Sequence, residues 1–203
     1  MSQTKLDIAK KEFKQQIAKG FNLIKSITQL RPPLPKDEVY LIYEFSFLKL
    51  FLAWEWFLEN TFILYIMGER TDKGYKPKTY VNPKTKKHVY DFLKEGRDYA
   101  DWTSPNIVIR KANLFFKDGK PYKNHLISIT QDIQDMKTLR NAIVHISKES
   151  QEKFKTLVRK RFGYAKTMIT PGEFLSTPVK NKNLVYISYF RNQLEFVSDK
   201  LVR

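Results

Sequence analysis

The sequence predicts an all-α fold. Apolar residues recur every three or four positions through several long stretches. No stretch alternates apolar and polar residues cleanly, as a half-buried strand would. Proline- and glycine-bearing turns separate the helical runs.

Leu6, Ala9, Phe13, Ile17, Phe21, Ile24 and Ile27 share one helical face, so the first thirty residues read as a single amphipathic helix. Arg31-Pro-Pro-Leu-Pro35 stops it. Asp37 and Glu38 then stand where acidic residues favour a helix start, and the next helix is expected to run to Gly68. Its apolar stretch Val39–Met67 is interrupted by Glu44, Lys49, Glu55 and Glu59. A membrane span needs about 20 apolar residues almost free of charge, so a buried core helix is expected instead.

Thr71–Gly96, rich in Lys, Tyr, Pro and Gly, reads as a basic insertion with one short helix near Tyr90–Lys94. Its run Lys84-Thr-Lys86-Lys87-His88 suits a flexible contact better than a catalytic element. Ser104-Pro105 signals a helix through Phe116, and Asp118-Gly119-Lys120-Pro121 a turn. One helix is expected from about Lys123 to His145 and another from Ser150 to Phe162, ended by Gly163. Thr170-Pro-Gly and Thr177-Pro mark a loop. Ile187, Phe190, Leu194, Val197 and Leu201 predict a last helix. The whole, 1–203, is expected to be one domain: an N-terminal helix in 1–35, a bundle in 37–162 and a C-terminal helix in 183–203.

Composition narrows the chemistry. There are no cysteines, which removes disulfides, thiolate zinc sites and thiol nucleophiles. His88, His125 and His145 lie in different segments, so no metal site and no cofactor are expected. The seven glycines form neither a P-loop nor a dinucleotide fingerprint. The N-terminal stretch is charged from the start, unlike a secretory signal, and a cytoplasmic protein is expected.

The formal charge is +16 and unevenly spread. Residues 37–68 carry one basic and five acidic groups, whereas 146–203 carry twelve and five. The excess favours a phosphate-rich partner, nucleic acid ahead of an anionic membrane surface or mere solubility.

Leu139-Arg140-Asn141-Ala-Ile-Val-His145 is the stretch with most chemistry. On a wheel of the expected helix, Ile129, Ile133, Met136, Leu139, Ile143 and Ile146 fill the core side. Arg140 falls inside that arc, His145 on its opposite margin, and Asn141 further outward. A guanidinium on the core side needs a partner or a cleft. Glu55 and Glu59, one turn apart on the earlier helix, are candidate partners in a buried structural ion pair. The other reading is a cleft where a phosphate approaches Arg140.

Arg140-Asn141-Ala-Ile-Val-His145 resembles the R-x4-6-H signature of the HEPN superfamily, in which a polar residue often follows the arginine. The long preceding helix with Trp54-Glu-Trp-Phe-Leu-Glu59 is similar to HEPN bundles, in particular those grouped with the RiboL-PSP type. The likeness covers about Asp37–Phe162. It implies an HEPN-like bundle with a basic insertion and a metal-independent endoribonuclease of toxin or phage-defence type. It also implies a homodimer whose two motifs share one cleft, and a neutralising antitoxin or defence partner. Some members are inactive, so the alternative is a non-catalytic module that binds nucleic acid or a protein.

The residues suit that chemistry. Metal-free RNA cleavage needs a base for the 2′-hydroxyl proton, an acid for the leaving oxygen, and positive charge on the phosphorane. A histidine, ordinarily titrating near 6.5, can serve as base or acid. Arg140 can grip a phosphate with two parallel bonds, and Asn141 can orient phosphate or imidazole. One histidine does not readily do both proton transfers, which the implied dimer would resolve. Lys153, Lys155, Arg159, Lys160 and Arg161, interleaved with Phe154, Phe162 and Tyr164, offer backbone contacts and stacking. The competing reading is a solvated helix face with core phenylalanines.

Overall fold

A computed structural model describes residues 3–94, 100–163 and 169–203. The fold is all-α: the described residues form nine α-helices and no strand, with isolated bridges at Thr79–Phe116 and Pro178–Val185. The helices are α1 (Lys5–Ile27), α2 (Lys36–Ile66), α3 (Lys86–Lys94), α4 (Pro105–Phe115) and α5 (Tyr122–Ile127). Then follow α6 (Thr130–Val144), α7 (Lys148–Phe162), α8 (Pro171–Ser176) and α9 (Tyr186–Leu201). No described helix is long and apolar enough to cross a membrane.

The residues gather into two compact units. Unit 1 comprises Met1–Lys14, Trp54–Ile133 and Leu194–Arg203; unit 2 comprises Gln15–Ala53 and Gln134–Gln193. Unit 1 is built on aromatics. Phe13 stacks on Phe57, and Phe62 meets Phe116 and Tyr122 at centroid distances of 4.8 and 4.9 Å. The hydroxyls of this core find acceptors: Tyr65 donates to the Leu201 carbonyl at 2.5 Å and Tyr122 to Thr61 Oγ1 at 3.0 Å. Burying each such ring is worth about 1.5–3 kcal/mol. Unit 2 centres on Phe47, Phe174, Tyr186 and Phe190, with Phe174 stacked on Tyr186 at 4.4 Å.

The basic insertion is anchored in unit 1. Thr71 and Tyr75 close a turn, and the Tyr80 amide donates to the Phe115 carbonyl at 2.9 Å. The insertion's helix starts at Lys86, one turn before the expected Tyr90, and buries Val89 and Leu93. Gly96 lies outside the described residues.

Three sequence expectations need correction. The single helix expected over Lys123–His145 is two, α5 and α6. At the break, Ser128 Oγ donates to the His125 carbonyl and Thr130 Oγ1 to the Leu126 carbonyl, both at 2.8 Å. These hydroxyls compete for the carbonyls that a continuous helix would use. The expected Thr170 loop contains α8, whose start has Thr170 Oγ1 accepting from the Glu173 amide at 3.1 Å, with Pro171 in the first turn. Conversely, Ser104 sits at the cap position of α4 but its side chain makes no cap bond.

Candidate active site at the α6–α7 corner

The corner lies in unit 2, where α6 ends at Val144 and α7 begins at Lys148. Within α6, Met136 and Leu139 are buried as the wheel requires. Arg140 is half-buried. His145 and Ile146 lie beyond the helix, and Ile146 is 98% exposed, so its expected place on the core side is wrong. The wheel fails there because it assumes a helix that has already stopped.

That stop brings the motif together. On a continuous helix, residues five apart point about 140° from each other. With the helix ended, the chain turns and His145 returns toward Arg140. Arg140 Nη1 lies 3.0 Å from Asn141 Oδ1 and 3.3 Å from His145 Nε2. Arginine is donor only, so the second contact is a hydrogen bond in the imidazole tautomer whose Nε2 carries the lone pair.

The start of α7 holds the corner in place. Ser147 Oγ accepts from the Ser150 amide at 3.2 Å as the helix cap, and Ser150 Oγ donates to the His145 carbonyl at 2.5 Å. Gln151 Nε2 donates to the Ala142 carbonyl at 3.2 Å, and the His145 amide to the Asn141 carbonyl at 2.8 Å. Carbonyls that a helix end leaves without partners are thereby satisfied, and the backbone of His145 is fixed between two helices. Asn141, His145, Ser147, Ser150 and Lys153, with Thr138 and Glu149, line a surface pocket of about 190 Å³. The Asn141 amide and the Lys153 ammonium are donors suited to phosphate oxygens, while the Ser147 and Ser150 hydroxyls donate within the corner.

Arg140, Asn141 and His145 are thus brought together, and Lys153 lines the pocket with Asn141 and His145. Ser147 and Ser150 were missed as part of the corner. A serine followed by Glu149, ahead of the Phe154, Leu157, Val158 rhythm, is the signal that places the cap at Ser147.

The basic residues of α7 divide. Lys153, Lys155, Arg159 and Lys160 are exposed. Lys153 pairs with Glu149 at 2.6 Å and Lys155 with Glu152 at 2.7 Å. Such exposed pairs are weak and leave the ammoniums available to a polyanion. Arg161, by contrast, is bound to the buried carboxylate of Asp135, its Nε 2.6 Å from Oδ2. It is a structural residue rather than part of the exposed basic face. Phe154 and Phe162 pack against Phe174 within the unit, Phe154 buried and Phe162 half-buried, so both rings are engaged in internal packing. Tyr164, Ala165 and Lys166 lie outside the described residues.

The two carboxylates expected to pair with Arg140 belong to unit 1, Glu55 and Glu59 both being half-buried there. The guanidinium is engaged instead by the side chains of Asn141 and His145. Burial raises the Glu59 carboxyl above its ordinary range. Among the described residues, no three His, Asp or Glu side chains gather as metal ligands would. The chain matches no protein-family model, and no curated protein or solved structure is significantly similar to it.

Proposed function

We propose that this chain is a metal-independent endoribonuclease of the HEPN type, acting as a homodimer. The observation that carries the reading is the convergence of Arg140, Asn141 and His145, the last two of which line one pocket, with the guanidinium held by an amide oxygen and an imidazole nitrogen. An incoming phosphate offers charged oxygens, which bind a guanidinium more strongly than an amide or imidazole does. Displaced from Arg140, His145 Nε2 is left with a lone pair beside the phosphate.

In the proposed step, Nε2 takes the 2′-hydroxyl proton as the 2′-oxygen bonds to phosphorus and the bond from phosphorus to the 5′-oxygen breaks. Arg140 and Lys153 balance the charge that develops on the phosphorane. An imidazolium supplied by the second copy returns a proton to the leaving oxygen. The products are a 2′,3′-cyclic phosphate and a 5′-hydroxyl. Val144 and Ile146, 48% and 98% exposed, flank His145 with apolar surface that a second copy would cover. The toxin or phage-defence setting, and with it a neutralising partner, follows from the resemblance to that family.

The test is cleavage of total RNA in EDTA by wild type and by His145→Ala, with the fragment ends analysed. The reading expects metal-free cyclic phosphate ends that His145→Ala reduces at least about a hundredfold with its fold retained. Cleavage that requires Mg²⁺, or that survives His145→Ala, would refute it. Salt-sensitive RNA binding with no cleavage would favour the non-catalytic module.

A further inference from the structure

Unit 1 carries a second basic surface, built where α9 ends. Two adjoining hollows, of about 410 and 260 Å³, share Lys200 and Arg203 as a common wall. The larger also has Lys73 and Phe196 in its lining; the smaller has Lys120 and Tyr75. To the shared cations the larger hollow adds Lys10 and Lys73 and the Phe196 ring, and the smaller adds Lys120 and the Tyr75 ring. Phe196 is 58% exposed and Tyr75 38%, so each ring presents surface at its hollow.

Cationic side chains outnumber carboxylate side chains in both hollows: Lys10, Lys73, Lys200 and Arg203 face Asp72 and Asp199 in the larger, and the smaller is lined by Lys120, Lys200 and Arg203 with no Asp or Glu among the described residues. Of the two carboxylates in the larger hollow, Asp199 is held by Lys14 at 2.8 and 2.9 Å. Asp72 accepts from the backbone amide of Lys73 at 2.8 Å. Lys10 is partly committed, donating to the Val202 carbonyl at 3.2 Å. Lys73, Lys120 and Arg203 remain as exposed cations, and the Lys200 ammonium stands over the Phe196 ring at 5.2 Å. Its positive charge also helps hold the His125 imidazole below its ordinary range, after burial.

We infer that this double hollow is a binding site for single-stranded nucleic acid, taking successive phosphates along Lys73, Lys200, Arg203 and Lys120 and stacking bases on Phe196 and Tyr75. A small anion needs one cluster of donors. Two hollows in tandem, each with cations and a planar ring, match the alternation of phosphate and base in an unpaired strand. The site concerns binding only. It belongs to unit 1, whereas Arg140, Asn141 and His145 belong to unit 2, so it can be tested with cleavage abolished.

The experiment uses the full chain carrying His145→Ala and a fluorescein-labelled twelve-residue oligouridylate, followed by anisotropy at several salt concentrations. Adding Lys73→Gln and Lys120→Gln should weaken binding at least about fivefold and lower the slope of log K against log salt by about 1.4. Phe196→Ser, which leaves every charge of the chain in place, should weaken it about fivefold or more. Lys25→Gln with Lys36→Gln, the same charge change on exposed residues of unit 2, should cost less than the unit 1 pair on both measures. Equal effects of the two lysine pairs, or no loss with Phe196→Ser, would overturn the inference. So would competition by inorganic pyrophosphate as strong as that of the oligonucleotide at equal phosphate, which would mark a small-anion site. Binding failure here and cleavage failure in the wild type are read separately.

Discussion

Two arginines in unit 2 meet opposite company. Arg161, on α7, reaches the Asp135 carboxylate, and Asp135 is only 5% exposed. Arg140, near the end of α6, touches an amide oxygen and an imidazole. The first charge is neutralised inside the protein. The second is held in place without being neutralised, which prepares it for an anion from outside. A net positive charge of +16 does not reveal which cations are available; their partners do.

The largest expected effect breaks the paired arginine. Arg161→Ala should destabilise the protein by about 3–5 kcal/mol, because it removes the guanidinium from a buried carboxylate. Arg140→Ala strands no charge and should cost about 1 kcal/mol, while removing the proposed RNA cleavage. Denaturant unfolding of the two variants checks the contrast, and equal losses of stability would remove it.

Next is the packing that supports unit 2. A Cβ at Gly172 would lie 2.3 Å from the Tyr40 carbonyl oxygen, while the Gly172 amide donates to Glu44 at 2.8 Å. Gly172→Ala should cost about 1–3 kcal/mol by overpacking, read as a lower thermal midpoint. An unchanged midpoint would show that this contact yields easily.

Ser150→Ala should cost less, about 1 kcal/mol. It should still lower cleavage, since the Ser150 hydroxyl fixes the His145 carbonyl. Full activity in this variant would show that the α7 start does not position the imidazole. Under the proposed homodimer, Ile146→Asp, at a fully exposed position, should leave the helix content unchanged but shift the protein toward monomer in sedimentation.

The smallest effect is in unit 1 and depends on pH. Burial and the Lys200 charge hold the folded His125 pKa below its ordinary value. The unfolded chain then binds this proton more readily, so stability falls as pH drops through about 6.5. His125→Gln should flatten the pH dependence of the thermal midpoint between pH 7 and 5.

The helices were legible because apolar spacing reports burial directly, as Leu6, Phe13, Phe190 and Leu194 illustrate. The corner was legible only as letters. Its geometry depends on where α6 stops, and that is decided by hydroxyls and an amide from the next helix, Ser150 and Gln151, whose bonds no periodicity records. For the same reason a wheel extended through Ile146 placed a fully exposed residue in the core. The role of Arg161 was hidden because its partner, Asp135, lies 26 residues away on another helix.

The central claim is that Arg140, and not Arg161, receives phosphate. It can be read from the side-chain Nε–H signals of ¹⁵N-labelled arginines during titration with an oligouridylate made uncleavable by 2′-deoxy substitution. The account predicts that the Arg140 signal shifts saturably while the Arg161 signal stays in place. A shift at Arg161 with Arg140 unmoved would contradict it.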